Sequence, residues 1–428
     1  MVAAPQLMTR IALLSSEPVR PLMAGIGIRY LELARRLPAY GIDVVLVSPA
    51  APEDTRELSV GTADVRQFER GRLAAILGDC DGAVAQGQLA NDLLLEMPAL
   101  PVAIDLYDPW LVENFAYLDT LGLGPFRNDH ATWVLQMSRG DFFLCSSEEQ
   151  RTFYLGFLAA LGRVHPERVV RDPDLADLVQ PVPFGVPGEL PPHRPVLPSR
   201  PAGETRLLFG GLYDWYDPWT LLDALESLDR PGWALYLIRN PNPESTPQRL
   251  FREVEARCRR LGWWGSRVRV LDWTPADRRY DLLRDVDLLV APHRPSLETR
   301  LSLRTRFLDA LAADCPVVTS DGGAMSRLLR EHRAGWVVPP GDAAALARAL
   351  VEAVEDSAAR EERRRGAREL LADFQWDRAL APLVRFCRNP WRDESKERFA
   401  HRPGVEVPAD SLAWKVRRRL KRLVGAGA

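Results

Sequence analysis

Cysteine is scarce and scattered in this chain. Its 428 residues include five, Cys80, Cys145, Cys258, Cys315 and Cys387, far apart and without metal-ligand spacing. An odd, dispersed set excludes a disulfide framework and fits free thiols in a reducing cytoplasm. An excess of one charge is also missing: the formal net charge is −2, which excludes a general affinity for nucleic acid. No apolar run approaches the roughly 18 residues that a membrane-spanning helix needs, and the N-terminus has no signal-peptide pattern. The six histidines lack zincin or zinc-finger spacing, so no metal site is expected. Neither a Gly-x-Ser-x-Gly elbow nor a P-loop lysine is present.

What is there is β–α alternation in two halves. The first opens with "RIALLSS" (10–16), then a loop and the helical "GIRYLELARRLPAYG", in which Ile28, Leu31, Ala34 and Leu37 share a face. The runs "DVVLVSP" (43–49), "GAVAQG" (82–87), "PVAIDLY" (101–107) and "DFFLCSS" (141–147) are strand candidates. The second half alternates "RLLFGGL", "ALYLIRN", "VRVLDW", "DVDLLVAP", "PVVTSD" and "GWVVPP" with helical segments. Such alternation predicts α/β domains with parallel sheets, and ligands then bind at the carboxyl ends of the strands. Eight prolines between 181 and 201 mark a linker. The boundaries that follow are a first domain over 9–180, a linker over 181–204, a second domain over 205–372, a crossover helix over 373–390 and a basic amphipathic tail over 391–428. The last eighteen residues hold six basic and no acidic side chains, with Leu412, Val416, Leu420 and Leu423 on one face. That pattern suits contact with an anionic membrane surface or a protein partner.

Three stretches carry candidate chemistry. "GIGIRY" (25–30) lacks the third glycine of a dinucleotide fingerprint, since Tyr30 stands there. Gly25 and Gly27 instead allow close backbone approach to a ligand at a helix N-terminus, with an ordinary turn as the alternative. Gly210 and Gly211 in "FGGLYDWYDP" end a strand and precede Asp217 and Pro218, both first-turn residues. In "ETRLSLRTRFLDALAADCPVV" (298–318), Arg300, Arg304 and Arg306 crowd a helix start, the wrong sign for its dipole. Ser302 or Thr305 can cap that helix, and Arg304 and Arg306 with its free N–H groups would hold a diphosphate. Asp309 is placed to accept from ribose hydroxyls; Arg300 is left to solvent. Asp285 and Asp287 imitate a metal-binding pair but straddle a helix–strand junction.

These stretches, in this order and spacing, resemble the GT-B glycosyltransferases of the family 4 type, the glycosyl transferases group 1 proteins, in a sub-branch found in bacterial polysaccharide clusters. The "GWVVPPGDAAALARAL" run, "FFLCSSEEQRTFYLGFLAALGRV" and "PVPFGVP" belong to the same likeness. The resemblance implies two Rossmann-like domains facing across a cleft, acceptor on the first and nucleotide-sugar donor on the second. It implies retaining transfer that needs no metal, and no cofactor beyond the nucleotide sugar as co-substrate. The acceptor would be a carbohydrate or lipid-linked hydroxyl, handled in the cytoplasm or at the inner face of the membrane. Glu298 and Asp108 are then the candidate catalytic residues, with Asp105 and Trp110 on the acceptor side and Arg239 and Trp273 near the donor base. The chain departs from its family at two places. Asp309 matches the second of two glutamates spaced eight apart, but the first position is Leu301, with Glu298 the nearest substitute. The arginine and lysine after the glycine pair are missing as well, which assigns the diphosphate charge to Arg304 and Arg306. A catalytically silent sugar-binding or assembly protein, a non-hydrolysing nucleotide-sugar epimerase and a nicotinamide oxidoreductase are the alternatives.

Overall fold

The computed structural model describes residues 8–228, 230–240 and 247–400. Two sheets organise them. In the first domain the strands are β1 (Thr9–Leu14), β2 (Ile42–Ser48), β3 (Asp64–Gln67), β4 (Gly82–Ala85), β5 (Val102–Asp105), β6 (Phe142–Cys145) and β7 (Val179–Pro181). In the second they are β8 (Thr205–Gly211), β9 (Trp233–Ile238), β10 (Val268–Leu271), β11 (Leu288–Val290), β12 (Val317–Ser320) and β13 (Trp336–Val338). The spatial orders are β3-β2-β1-β4-β5-β6-β7 and β10-β9-β8-β11-β12-β13. Neighbouring strands pair in parallel, for example Ile11 opposite Val44 and Gly82 on either side of β1. Each sheet is covered by helices on both faces, so the central strands are apolar runs: Ile11 to Leu14 and Val44 to Val47 are all buried.

Two strands escape the sequence-based expectation. β3 reads DVRQ and β7 reads VQP, short edge strands without an apolar run. Pro181 belongs to β7 rather than to a strand-free linker, which an edge position permits. The linker itself is pinned by the two aspartates that imitate a metal pair. Asp285 accepts from the N–H groups of Val196 (2.6 Å) and Leu197 (2.8 Å), and Asp287 pairs with Arg200 at 2.6 Å. Among the described residues no group of three or more histidine, cysteine or acidic side chains converges as a metal cage.

The expected crossover helix is two short ones, Trp376–Ala379 and Ala381–Arg388, the latter starting with Pro382 in its first turn. It returns the chain to the first domain, where Trp376, Leu380, Leu383 and Phe386 pack with Ile11 and Leu13. Gly185 permits that crossing: a Cβ there would lie 2.3 Å from the Trp376 ring. Residues 391–400, placed in the tail by sequence, instead clasp the first domain. Asp393 bonds buried Arg163 (2.5 Å) and Arg168, Lys396 bonds Asp141 (2.6 Å), and Phe399 stacks on His165. The amphipathic segment from Leu412 to Leu423 lies outside the described residues. Among the described residues no helix is long and apolar enough to cross a membrane.

Candidate active site

The carboxyl ends of the two sheets face each other across a cavity of about 570 Å³. Its first-domain wall is built by Glu17, Gly25, Tyr107, Asp108, Glu113 and Tyr117; its second-domain wall by Gly211, Tyr213, Trp273, Arg304, Arg306 and Asp309.

On the second wall, β8 carries a bulge between Leu208 and Gly210, and Gly210 has φ +90°. That conformation favours glycine, and a Cβ there would lie 2.9 Å from Arg306 Nη1 and displace the end of that side chain. Arg306 donates to the carbonyls of Phe209 (3.1 Å) and Gly211 (3.4 Å), and its guanidinium lies 4.6 Å over the Tyr216 ring. The glycine pair and the arginine are therefore one construction, a flat cation laid across a strand end. Arg304 lines the cavity but is engaged, donating to Glu298 Oε2 at 2.6 Å. Ser302 Oγ holds Glu298 Oε1 at 2.8 Å. Glu298 is thus buried behind Arg304 rather than presented to a sugar. Neither Ser302 nor Thr305 caps the helix Thr305–Ala312; its N-cap is Arg304 and no side chain caps it. The Thr305 hydroxyl instead lies beside that of Tyr107 from the opposite domain. Asp309 pairs with Arg279 at 3.3 Å and lies beside the Tyr280 hydroxyl, which hydrogen-bonds its carboxyl. Burial pushes the Asp309 carboxyl up despite the pull of Arg279.

Trp273 lines the cavity, its indole N–H donating to Met23 O of the first domain at 2.9 Å. Arg239, the other residue predicted near a base, lies away from the cavity. Its side chain is 61 % exposed and extends over Phe251. Arg300 is exposed, as expected.

The first wall departs further from expectation. Asp105 does not face the cleft. It forms a fully buried pair with Arg29 at 2.7 Å, and Arg29 also donates to the carbonyls of Val182 and Pro183. Trp110 does not face it either: its ring meets Trp133 edge-on at 5.8 Å. The helix Gly25–Arg36 has no acidic residue in its first turn. Glu17, from the preceding loop, supplies the anion: Oε1 accepts from Ala24 N (2.6 Å) and Oε2 from Gly27 N (2.8 Å). Burial raises the Glu17 pKa, against the lowering effect of those two N–H groups. Gly27 is needed for packing, since a Cβ would meet Met23 Sδ at 2.8 Å, while Gly25 borders the cavity under Tyr107.

Asp108 does face the cavity, and its carboxyl shares a hydrogen bond with that of Glu113. Burial raises both pKa values, and for Glu113 the Asp108 charge adds to it, moving Glu113 well above the usual range. Glu298 raises both further and Arg304 opposes. Two carboxyls this close retain a proton between them. Glu113 and Glu17 were not legible in the sequence. They stand five residues after Asp108 and eight before Gly25, in no recurring motif, and only the fold brings them to one wall.

Two parallel α/β sheets opposed across a ligand-sized cleft, with the chain crossing back at its end, define a GT-B protein. Residues 204–356 match the family described as glycosyl transferases group 1. Over 396 residues the chain is 24 % identical to a phosphatidyl-myo-inositol mannosyltransferase of Mycobacterium leprae, covering 88 % of this chain and 96 % of that protein. Among solved structures, a sucrose-phosphate synthase from Thermosynechococcus elongatus is similar with a TM-score of 0.64 and 16 % identity, over 88 % of this chain and 98 % of that one. HepE from Anabaena, in complex with UDP and glucose, gives 0.62 and 15 %, with the same coverage. The chain has the GT-B fold, and its second domain is similar to the group 1 glycosyltransferases.

Proposed function

We propose that this glycosyltransferase moves a sugar from a nucleoside-diphosphate donor held by the second domain to a hydroxyl group held by the first. The observation that carries this reading is the joint construction of Gly210, Gly211 and Arg306 at the end of β8, beside the uncapped start of helix Thr305–Ala312. It offers a delocalised cation and N–H donors where a leaving diphosphate would gain charge. Asp309, held by Arg279 and Tyr280 at the cavity wall, is the carboxylate nearest to hand for ribose hydroxyls, and the Trp273 ring is a face for the base. The similar HepE structure with UDP and glucose fits a donor of this kind.

Bond breaking at the anomeric carbon passes through an oxocarbenium-like state. In a front-face, retaining route the leaving phosphate takes the acceptor proton, and Asp108 with Glu113 orients the attacking hydroxyl. The positive charge on the diphosphate comes from Arg306, and no metal is required by this route. Calorimetry with UDP, GDP and ADP tests the donor site; no binding by any nucleoside diphosphate would sink it. Release of nucleoside diphosphate separates the enzyme from a silent sugar-binding protein. The anomeric configuration of the product, read by NMR, decides retention, and activity in excess chelator decides metal independence.

A further inference from the structure

We propose that the acceptor is an uncharged carbohydrate, and that Glu17 excludes molecules carrying phosphate or carboxylate at the reacting end. The inference rests on the acceptor lying on the first domain, as the proposed function has it. The N-terminus of a helix is a ready anion site, and the helix Gly25–Arg36 brings one to the cavity. In this chain it is already filled: Glu17 takes the N–H groups of Ala24 and Gly27 with its two oxygens. A phosphate arriving there would meet a carboxylate, not a pair of free donors.

The rest of the wall offers no cation of its own. Asp108 and Glu113, holding a proton between them, add carboxyl oxygens, and Tyr107 and Tyr117 supply ring faces, with Trp215 of the second domain against Tyr117. Tyr117 is 5 % exposed, lines the cavity and has no hydrogen-bond partner for its hydroxyl among the described residues. A buried hydroxyl left without a partner calls for one from a ligand. Carboxyl oxygens that accept from hydroxyls, with rings against C–H faces, are what a polyhydroxylated, uncharged molecule can use.

The cations near this wall do not reverse its sign. Arg29 is closed off by Asp105, Arg304 by Glu298 and Arg279 by Asp309. Arg306 belongs to the opposite wall, at the end of β8. Arg20 is exposed and acts on Glu17 from the solvent side, where water screens it. Rejection of a wrong ligand by like charge needs no contact tailored to the right one.

The test uses the full chain, with and without a saturating nucleoside diphosphate. Saturation-transfer NMR and calorimetry compare matched probes: methyl glucoside with glucose 6-phosphate, myo-inositol with inositol 1-phosphate, and glucose with glucuronate. The uncharged member of a pair should bind at least about tenfold more tightly. Glu17→Gln, which keeps one carbonyl acceptor and loses the charge, should cut that ratio to about threefold or less while retaining the uncharged probe. Equal or better binding of the charged members overturns the inference, as does failure of every uncharged probe to bind. A ratio unchanged in folded Glu17→Gln confines Glu17 to capping the helix and overturns its role as well. Failure of all nucleoside diphosphates, with the probe selectivity intact, would instead sink the donor reading alone.

Discussion

Arg304 turns its guanidinium onto Glu298, Nη2 to Oε2 at 2.6 Å, and both side chains are more than nine-tenths buried. The pair is a local structural unit held by Ser302, so the two residues stand or fall together. Arg304→Ala leaves Glu298 buried without its counter-charge, and a loss of about 3–5 kcal/mol in denaturant unfolding is expected. The double variant Glu298→Gln with Arg304→Gln should recover part of it. A single variant as stable as the parent would show that the pair contributes nothing.

Arg306 behaves differently because it meets carbonyl oxygens rather than a carboxylate. Arg306→Ala should weaken nucleoside diphosphate binding by about 1.5–3 kcal/mol, the worth of a hydrogen bond to a charged group. Its unfolding midpoint should fall less than that of Arg304→Ala. Calorimetry that returns an unchanged Kd would remove Arg306 from the donor site.

Gly210→Ala attacks the same construction from the backbone. At φ +90° an alanine is strained by about 1–3 kcal/mol, and its methyl would press on Arg306 Nη1. Reduced stability together with weaker nucleoside diphosphate binding is expected. Loss of stability with the parent's affinity would separate the glycine from the arginine.

The Asp108–Glu113 pair makes both stability and turnover depend on pH. Folding raises both carboxyl pKa values, so the folded chain holds protons that the unfolded chain has released. The stability this adds is complete below the ordinary carboxylate range and is lost as pH rises through the raised folded values. Thermal midpoints taken from pH 4 to 8 should therefore flatten in Glu113→Gln. If the ionised pair orients the acceptor, the acid limb of kcat/KM lies above the ordinary carboxylate range and moves to lower pH in that variant. A limb that stays in place would assign it to another group.

The sheets were legible because buried parallel strands are continuous apolar runs, and "RIALLSS" or "DVVLVSP" cannot easily be anything else. Edge strands β3 and β7 were not, since an edge needs little apolar surface and tolerates Pro181. The second-domain half of the site was visible as glycines and arginines in one linear stretch, and Gly210 and Arg306 do meet. What the stretch could not show was that Arg304 belongs to Glu298. The first-domain half depends on residues brought together from Glu17, Asp108 and Glu113, whose only link is the topology β1-β4-β5. Strand-end carboxylates look alike in sequence: Asp105 points into a buried arginine and Asp108, three residues on, into the cleft.

The linker before β8 and the return through Phe374 and Trp376 run side by side, Val186 bonding Phe374 O and Trp376 N. Two strands of chain laid together fix a line rather than a point. A door hung on two pins swings about one axis, whereas a single tether would let it wander. Paired in this way, the two crossings constrain how the domains carrying Arg306 and Asp108 can turn against each other more than one crossing would.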